Sequence, residues 1–359
     1  MAENSPFRKE LEELLEEVVK RDATDLHIST DRPPSVRVDG SLVVLEERGV
    51  LDKEHAKNLA LSLLDKEQED KFWAYKDIDL SFNYKDQARF RVNVFQESNN
   101  ISAALRFIPR HIRTIEELHL PTILHRFAKV SQGFFLVVGP SGHGKSTALA
   151  AMIDEVNHSR RDHIITIEDP IEYIFQQDKC IIDQREVGVD VIDFHRGLRS
   201  MFREDADVVM IGEMRDSETI STAITAAETG HLIFSTLHTN TASQTIDRII
   251  DSFPPHQQPQ IRAQLSSTLL GILSRRLLPA INGGMINAVE LLIANSAVRN
   301  LIREGKTHQI DIVIETSQEE GMISLNRSLI SLVREGKVTY ENAETYSTNR
   351  EELKMLFQR

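Results

Sequence analysis

The sequence predicts an α/β protein in two parts. An N-terminal α+β module precedes a larger unit with a parallel sheet and a helical C-terminal part. Three observations carry this. Residues 77–84 and 89–96 alternate apolar and polar side chains, the period of half-buried strands. From residue 134, short apolar runs alternate with stretches at helical spacing, the pattern of βαβ units. From residue 258 onward the spacing turns mostly helical. A chain of 359 residues agrees with about two domains. Its 40% hydrophobic content supports a core and excludes a wholly disordered chain.

Each element follows from local pattern. Leu11, Leu14, Leu15, Val18 and Val19 recur at three- and four-residue steps, so residues 7–21 read as an amphipathic helix. Residues 25–29 are strand-like and Asp31-Arg32-Pro33-Pro34 punctuates them. Residues 35–45 read as two strands around Asp39-Gly40, and 51–75 return to helical spacing. The strands 77–84 and 89–96 pair through Lys85-Asp86-Gln87, and 101–109 adds another. The first module thus spans 1–110, and a connector, 111–122, leads to a second unit, 123–359. There, strand 134–138 runs through a Gly-rich loop into helix 146–157. Strands 163–167 and 207–211, helix 217–228 and strand 231–236 follow. Residues 258–277, 296–304 and 322–335 read as helices. Neither an internal repeat nor a low-complexity tract is present.

Composition narrows the function. The formal net charge of −13 argues against phosphate-backbone binding as the main task. No apolar run approaches the ~18 residues of a membrane-spanning helix. The N-terminal stretch MAENSPFRKELEELLEE is polar and acidic, unlike a secretory signal. The lone Cys180 allows no internal disulfide and no multi-cysteine zinc site, and reads as a reduced cytosolic thiol.

The strongest motif is Gly139, Pro140, Ser141, Gly142, His143, Gly144, Lys145, Ser146, followed by Thr147. It fits G-x-x-x-x-G-K-[ST], with a buried strand before it and a helix after it. Such a loop curls its N–H groups around phosphate oxygens, and the helix start adds positive potential. Lys145 is expected to bridge the β- and γ-phosphates of ATP and Ser146 to ligate Mg²⁺. His143 reads as a side chain tolerated at an x position. The strand Asp207–Ile211 followed by Gly212-Glu213 places Glu213 as a second Mg²⁺ ligand, direct or through water. Glu168, Asp169 and Glu172 cluster after a strand. They read either as a solvated strand end or as a site that polarises an attacking water. His231 and His238 frame an apolar strand, where they sense the γ-phosphate, close a subunit contact or serve as structural hydrogen-bonders.

In this order the four blocks resemble the Walker A, Asp box, Walker B and His box of the type II/IV secretion ATPase superfamily. Within it the chain is similar to the pilus-retraction, or twitching-motility, branch. The segments DATDLHIS (22–29), RFRVNVF (89–95), RTIEELHLP (113–121), TIEDPIEY (166–173), QREVGVD (184–190), GEMRD (212–216) and AETGHLIFSTLHT (227–239) carry the likeness. AVRNLIREGK (297–306) is similar to a retraction motif, with Val298 where the family has Ile. Ser296 reads as its helix cap, Val298, Leu301 and Ile302 as its apolar face, and Arg299, Arg303 and Glu304 as its charged face. The absence of a tetra-cysteine module and of a longer N-terminal region favours the retraction branch over extension and type II secretion motors.

The resemblance implies a PAS-like N-terminal domain linked to a RecA-like ATPase core, assembled as a homo-hexamer. It implies Glu172 as general base, Glu213 as Walker B acid, and His231 and His238 as couplers of nucleotide state to conformation. Arg89, Arg91 and Arg106 would reach a neighbouring subunit's nucleotide, where guanidinium charge stabilises the transferring phosphoryl group. By alternation alone the three are outward-facing polar residues. The implied partners are an inner-membrane pilus platform protein and a paralogous retraction ATPase, which place a cytoplasmic protein at that membrane. Two other readings stand beside the motor. One is an accessory ATPase with weak turnover that joins another ATPase's ring, or else another secretion or pilus-assembly ATPase. The other is a nucleic-acid translocase, which the acidic charge and the lack of a basic, aromatic-rich stripe oppose.

Overall fold

Leu11, Leu14, Leu15 and Val18 are all buried along one side of the first helix, so its apolar stripe does become a packing face. The computed structural model describes residues 6–38, 40–84, 88–109 and 111–358. Asp39 and the Lys85-Asp86-Gln87 turn lie outside them. The chain divides into two compact units, Met1–His111 with Glu172–Ile174, and Ile112–Ile171 with Phe175–Arg359.

The first unit runs α1 (Pro6–Lys20), β1 (Asp25–Ile28), β2 (Ser35–Val38), β3 (Ser41–Val44), α2 (Lys53–Leu61), α3 (Lys66–Tyr75), β4 (Asp77–Tyr84), β5 (Ala88–Glu97) and β6 (Asn100–Pro109). Its sheet order is β3-β2-β1-β6-β5-β4, antiparallel throughout. Phe90, Val92 and Val94 of β5 share a core with Leu11, Leu26, Leu59 and Phe72. The alternate residues Arg89 and Arg91 take the opposite face, and Arg91 lies directly across from Arg106. The helical spacing over 51–75 resolves into two helices. Asp65 accepts from Gln68 N and Gln68 answers to Asp65 N, a capping box that restarts the helix after Leu64.

The second unit runs α4 (Leu124–Ala128), β7 (Gly133–Val138), α5 (Lys145–Ser159), β8 (His163–Glu168), β9 (Ile181–Glu186), α6 (Phe194–Met201), β10 (Val208–Ile211), α7 (Ser217–Glu228), β11 (Leu232–Leu237), α8 (Ala242–Asp251), α9 (Gln258–Thr268), β12 (Leu269–Pro279) and β13 (Met285–Ile293). After them come α10 (Ser296–Glu304), α11 (Ile310–Thr316), α12 (Leu325–Arg334), α13 (Tyr340–Tyr346) and α14 (Arg350–Gln358). The sheet order is β13-β12-β7-β11-β10-β8-β9, parallel except for β13. Strands β7, β10 and β11 are buried at every position, as in sheets covered on both faces.

Three expectations are corrected here. Residues 258–277 are not one helix: α9 ends at Thr268 and β12 begins at Leu269. Leu269, Ile272 and Leu273 fit either period, and pairing with β7 and β13 decides for the strand. The α10 cap is Asn295, which accepts from Val298 N at 3.0 Å, so Ser296 is the first helical residue. Val298 and Ile302 are buried as expected, and Arg303 and Glu304 are exposed. Arg299 leaves the charged face and donates to the carbonyls of Ser266, Ser267, Leu269 and Ala294.

Candidate functional site

Parallel register brings four strand ends to one edge of the sheet. Val138 lies level with Leu237, Ser235 with Ile211, and Ile211 with Ile167. Four groups therefore converge at that edge: the Gly-rich loop after β7, His238 after β11, Glu213 after β10, and Glu168 at the tip of β8. Ligands bind at such carboxyl ends in open α/β sheets.

The loop has the backbone that anion binding needs. Gly139 has φ 145° and a Cβ there would fall 2.6 Å from the Arg275 carbonyl oxygen. Gly144 has φ 74° and caps α5, so helix N–H groups open toward the loop. Lys145 is buried. Its ammonium donates to Pro140 O at 3.0 Å and to His238 Nδ1 at 3.4 Å. A lysine ammonium only donates, so Nδ1 accepts, which assigns the proton to Nε2. That Nε2 lies 3.3 Å from Glu213 Oε1. Glu213 also pairs with Arg215 at 3.0 Å, and Arg215 reaches Asp169 at 3.7 Å. Pairing with Glu213 raises the Arg215 pKa above its ordinary value. Ser146 and Thr147 stand in the first turn of α5, while Ser141 and Gly142 are exposed. An ammonium, helix-start N–H groups, a hydroxyl and a carboxylate suit a polyphosphate with a hard divalent cation.

Other expected residues fall elsewhere. His231 precedes β11, at the end opposite His238 and roughly 20 Å along the strand. There Nδ1 bonds Ala226 O at 3.0 Å and Phe202 stands edge-on, so within one chain His231 does not join the group. Glu172 is half-buried, four residues past β8, in the short segment that clusters with the first unit. Arg89 and Arg91 are half-buried on the outer face of the N-terminal sheet. Arg106, exposed beside them, donates to Asp25 at 2.9 Å.

Three features have contacts that the sequence reading did not supply. His143 is no passenger: the Leu277 N–H donates to its Nδ1 at 2.9 Å, tying the loop to β12. Burial, with the nearby charges of Arg276, Lys145 and Arg275, depresses its pKa below the ordinary value. Buried Glu168 accepts from Thr166 Oγ1 at 2.7 Å and from Gln184 at 3.4 Å. Arg275 is buried behind the loop, with Nη1 on Gly144 O. Only the pairing of β12 with β7 makes Arg275 and His143 neighbours, so no local signal reports them.

The chain matches the family described as type II/IV secretion system protein over residues 1–352. It is 43% identical over 339 residues to the type IV pilus retraction ATPase PilT of Pseudomonas aeruginosa, covering 93% of this chain and 97% of that protein. Against the type IV pilus ATPase PilU of the same organism it is 37% identical over 348 residues, or 97% and 91% of the two chains. Among solved structures it is similar to the pilus retraction motor PilT with bound ADP. The TM-score is 0.88 at 44% identity, over 96% of this chain and 98% of that one.

Proposed function

The chain belongs to the type II/IV secretion system protein family, and we propose that it is an ATP-hydrolysing ring motor that powers retraction of a type IV pilus. One observation carries the reading. Lys145 hydrogen-bonds His238, and His238 Nε2 lies 3.3 Å from Glu213, a polar line across the ends of adjacent strands, in a chain 43% identical to a retraction ATPase over nearly its full length.

Within that reading the N-terminal unit is PAS-like and the larger unit RecA-like. Gly139–Thr147 hold the polyphosphate, with Lys145 on its β- and γ-groups. Ser146 and Glu213 would hold Mg²⁺, which when bound neutralises charge on the phosphates. Glu172 orients and deprotonates the attacking water. The line from Lys145 through His238 to Glu213 lets the phosphate end and the β10 acid respond to each other. Arg89, Arg91 and Arg106 act in trans, from one subunit of a homo-hexamer on its neighbour. Closure of that contact with nucleotide and its release afterwards supply the mechanical step. Among the described residues no helix is long and apolar enough to cross a membrane. Work at the inner membrane therefore passes through a pilus platform protein, with a paralogous retraction ATPase as a further partner.

ATPase rate measured with mass in solution tests this. A hexamer that hydrolyses ATP, with Lys145→Ala and Glu172→Gln each lowering turnover roughly a hundredfold, is expected. Expression in a piliated, retraction-deficient bacterium should restore twitching. A hexameric ATPase that fails there sinks the pilus assignment. A chain that binds ATP, does not assemble and does not turn over favours the accessory ATPase.

A further inference from the structure

Arg275 is the largest fully buried side chain among the described residues, at 2% exposure. It projects from β12, whose Ser274 is level with Val138 of β7, so it stands beside the point where the Gly-rich loop departs. Both ends of the loop press on it. A Cβ on Gly139 would meet the Arg275 carbonyl oxygen at 2.6 Å, and one on Gly144 would meet Nη1 at 2.9 Å. Nη1 donates to Gly144 O, and Nη2 donates to Asn287 Oδ1 at 2.5 Å. Both of these acceptors are neutral. Asn287 in turn donates to Leu118 O at 2.8 Å, which fixes the fork from behind.

We propose that Arg275 is a positioning residue for the polyphosphate site. Its guanidinium orients the peptide that begins α5 and places a buried positive charge behind the loop. In a trans peptide the C=O and the next N–H point in opposite directions. Holding Gly144 O inward, where Ala148 N also bonds it at 3.1 Å, turns the Lys145 N–H outward to the anion. The charge adds a Coulomb attraction in a site of low polarisability, where it is screened less than on the surface. The role presupposes the polyphosphate site proposed above.

Calorimetric titration of the full chain with ADP and with ATP, in the presence of EDTA, provides the test. Arg275→Gln should weaken ADP about tenfold, and ATP further, because ATP carries one more charge. Arg275→Lys should recover most of that loss. Asn287→Asp keeps Arg275 and sets a carboxylate on its fork. It should weaken both ligands with the same ATP-over-ADP bias, while Asn287→Ala should stay within about twofold of wild type. If Arg275→Gln does not fold, the Asn287 pair decides. Unchanged affinity in Arg275→Gln and Asn287→Asp overturns the proposal. So does an equal loss for ADP and ATP in all four variants, the mark of a purely structural strut. A wild-type chain that binds neither ligand overturns the nucleotide site and this role together.

Discussion

Glu290 shows how one residue that holds no role in the proposed chemistry can set a pH response. It lies on β13, 7% exposed, and accepts the Ala242 N–H at the start of α8 at 2.7 Å. Burial outweighs that bond and, with Asp311 and Glu352 adding repulsion and Arg276 opposing it, lifts the pKa to about 7 from an ordinary 4.5. The folded state therefore holds the proton more tightly than the unfolded chain. The stability from this group is fully present below 4.5 and is lost as pH rises through about 7. Glu290→Gln keeps the acceptor and removes the charge. Denaturant titrations should show a flatter stability profile between those limits and a gain of roughly 2–3 kcal/mol at pH 8. A profile parallel to wild type would mean that Glu290 is solvated in the folded protein. Neither Glu290 nor His143 was legible beforehand. A lone glutamate in an apolar run and a histidine inside a glycine loop gain meaning only when a strand distant in sequence is laid beside them. Lys145, Ser146 and Glu213 were legible because the loop and the strand-end acid depend on residues adjacent in the chain.

Among the elements, α9 and α10 show where periodicity runs out. The apolar residues of 269–278 fit a buried strand or a buried helix, and a sheet position beside β7 selects the strand. The α10 stripe was legible, but Arg299 was misplaced because a helical wheel assigns a charge to solvent by default. Its guanidinium instead gathers the carbonyls of Ser266 and Ser267 at the end of α9, together with Leu269 O and Ala294 O. Helix-end carbonyls have no intrahelical partner, and a cation there also meets the favourable end of the helix dipole. Burial lowers the Arg299 pKa, the mark of an enclosed cation. Arg299→Met should therefore cost about 2–4 kcal/mol of stability. Arg303→Ala, exposed on the same helix, should stay within about 0.5 kcal/mol of wild type. Equal unfolding midpoints for the two variants would move Arg299 from holding α9 to meeting a partner.

For the whole molecule, the sheet of the first unit sorts its side chains by register. Phe90, Val92 and Leu105 enter the core, while Arg89, Arg91 and Arg106 share the other face through the direct Arg91–Arg106 pairing. Strict alternation made that face legible. What the arginines meet there was not, because alternation sorts side chains to a face and says nothing of their partners. Arg106 is held by Asp25 at 2.9 Å, and Asp25 also reaches Arg37 at 3.7 Å. In the proposed ring Arg91 is thus the better placed to leave its sheet for a neighbour's phosphate. Subunit mixing separates this from a role within one chain. Arg91→Ala and Glu172→Gln hexamers should each lose at least about a hundredfold in ATPase rate. Dissociated and reassembled together, they should regain about a quarter of wild-type activity, since one interface in about four then joins an intact Arg91 to an intact Glu172. If the arginine serves its own subunit's site, no mixed ring contains a competent site and the mixture stays as inactive as its parents. If Arg91→Ala alone retains full turnover, Arg91 is not the residue that reaches across.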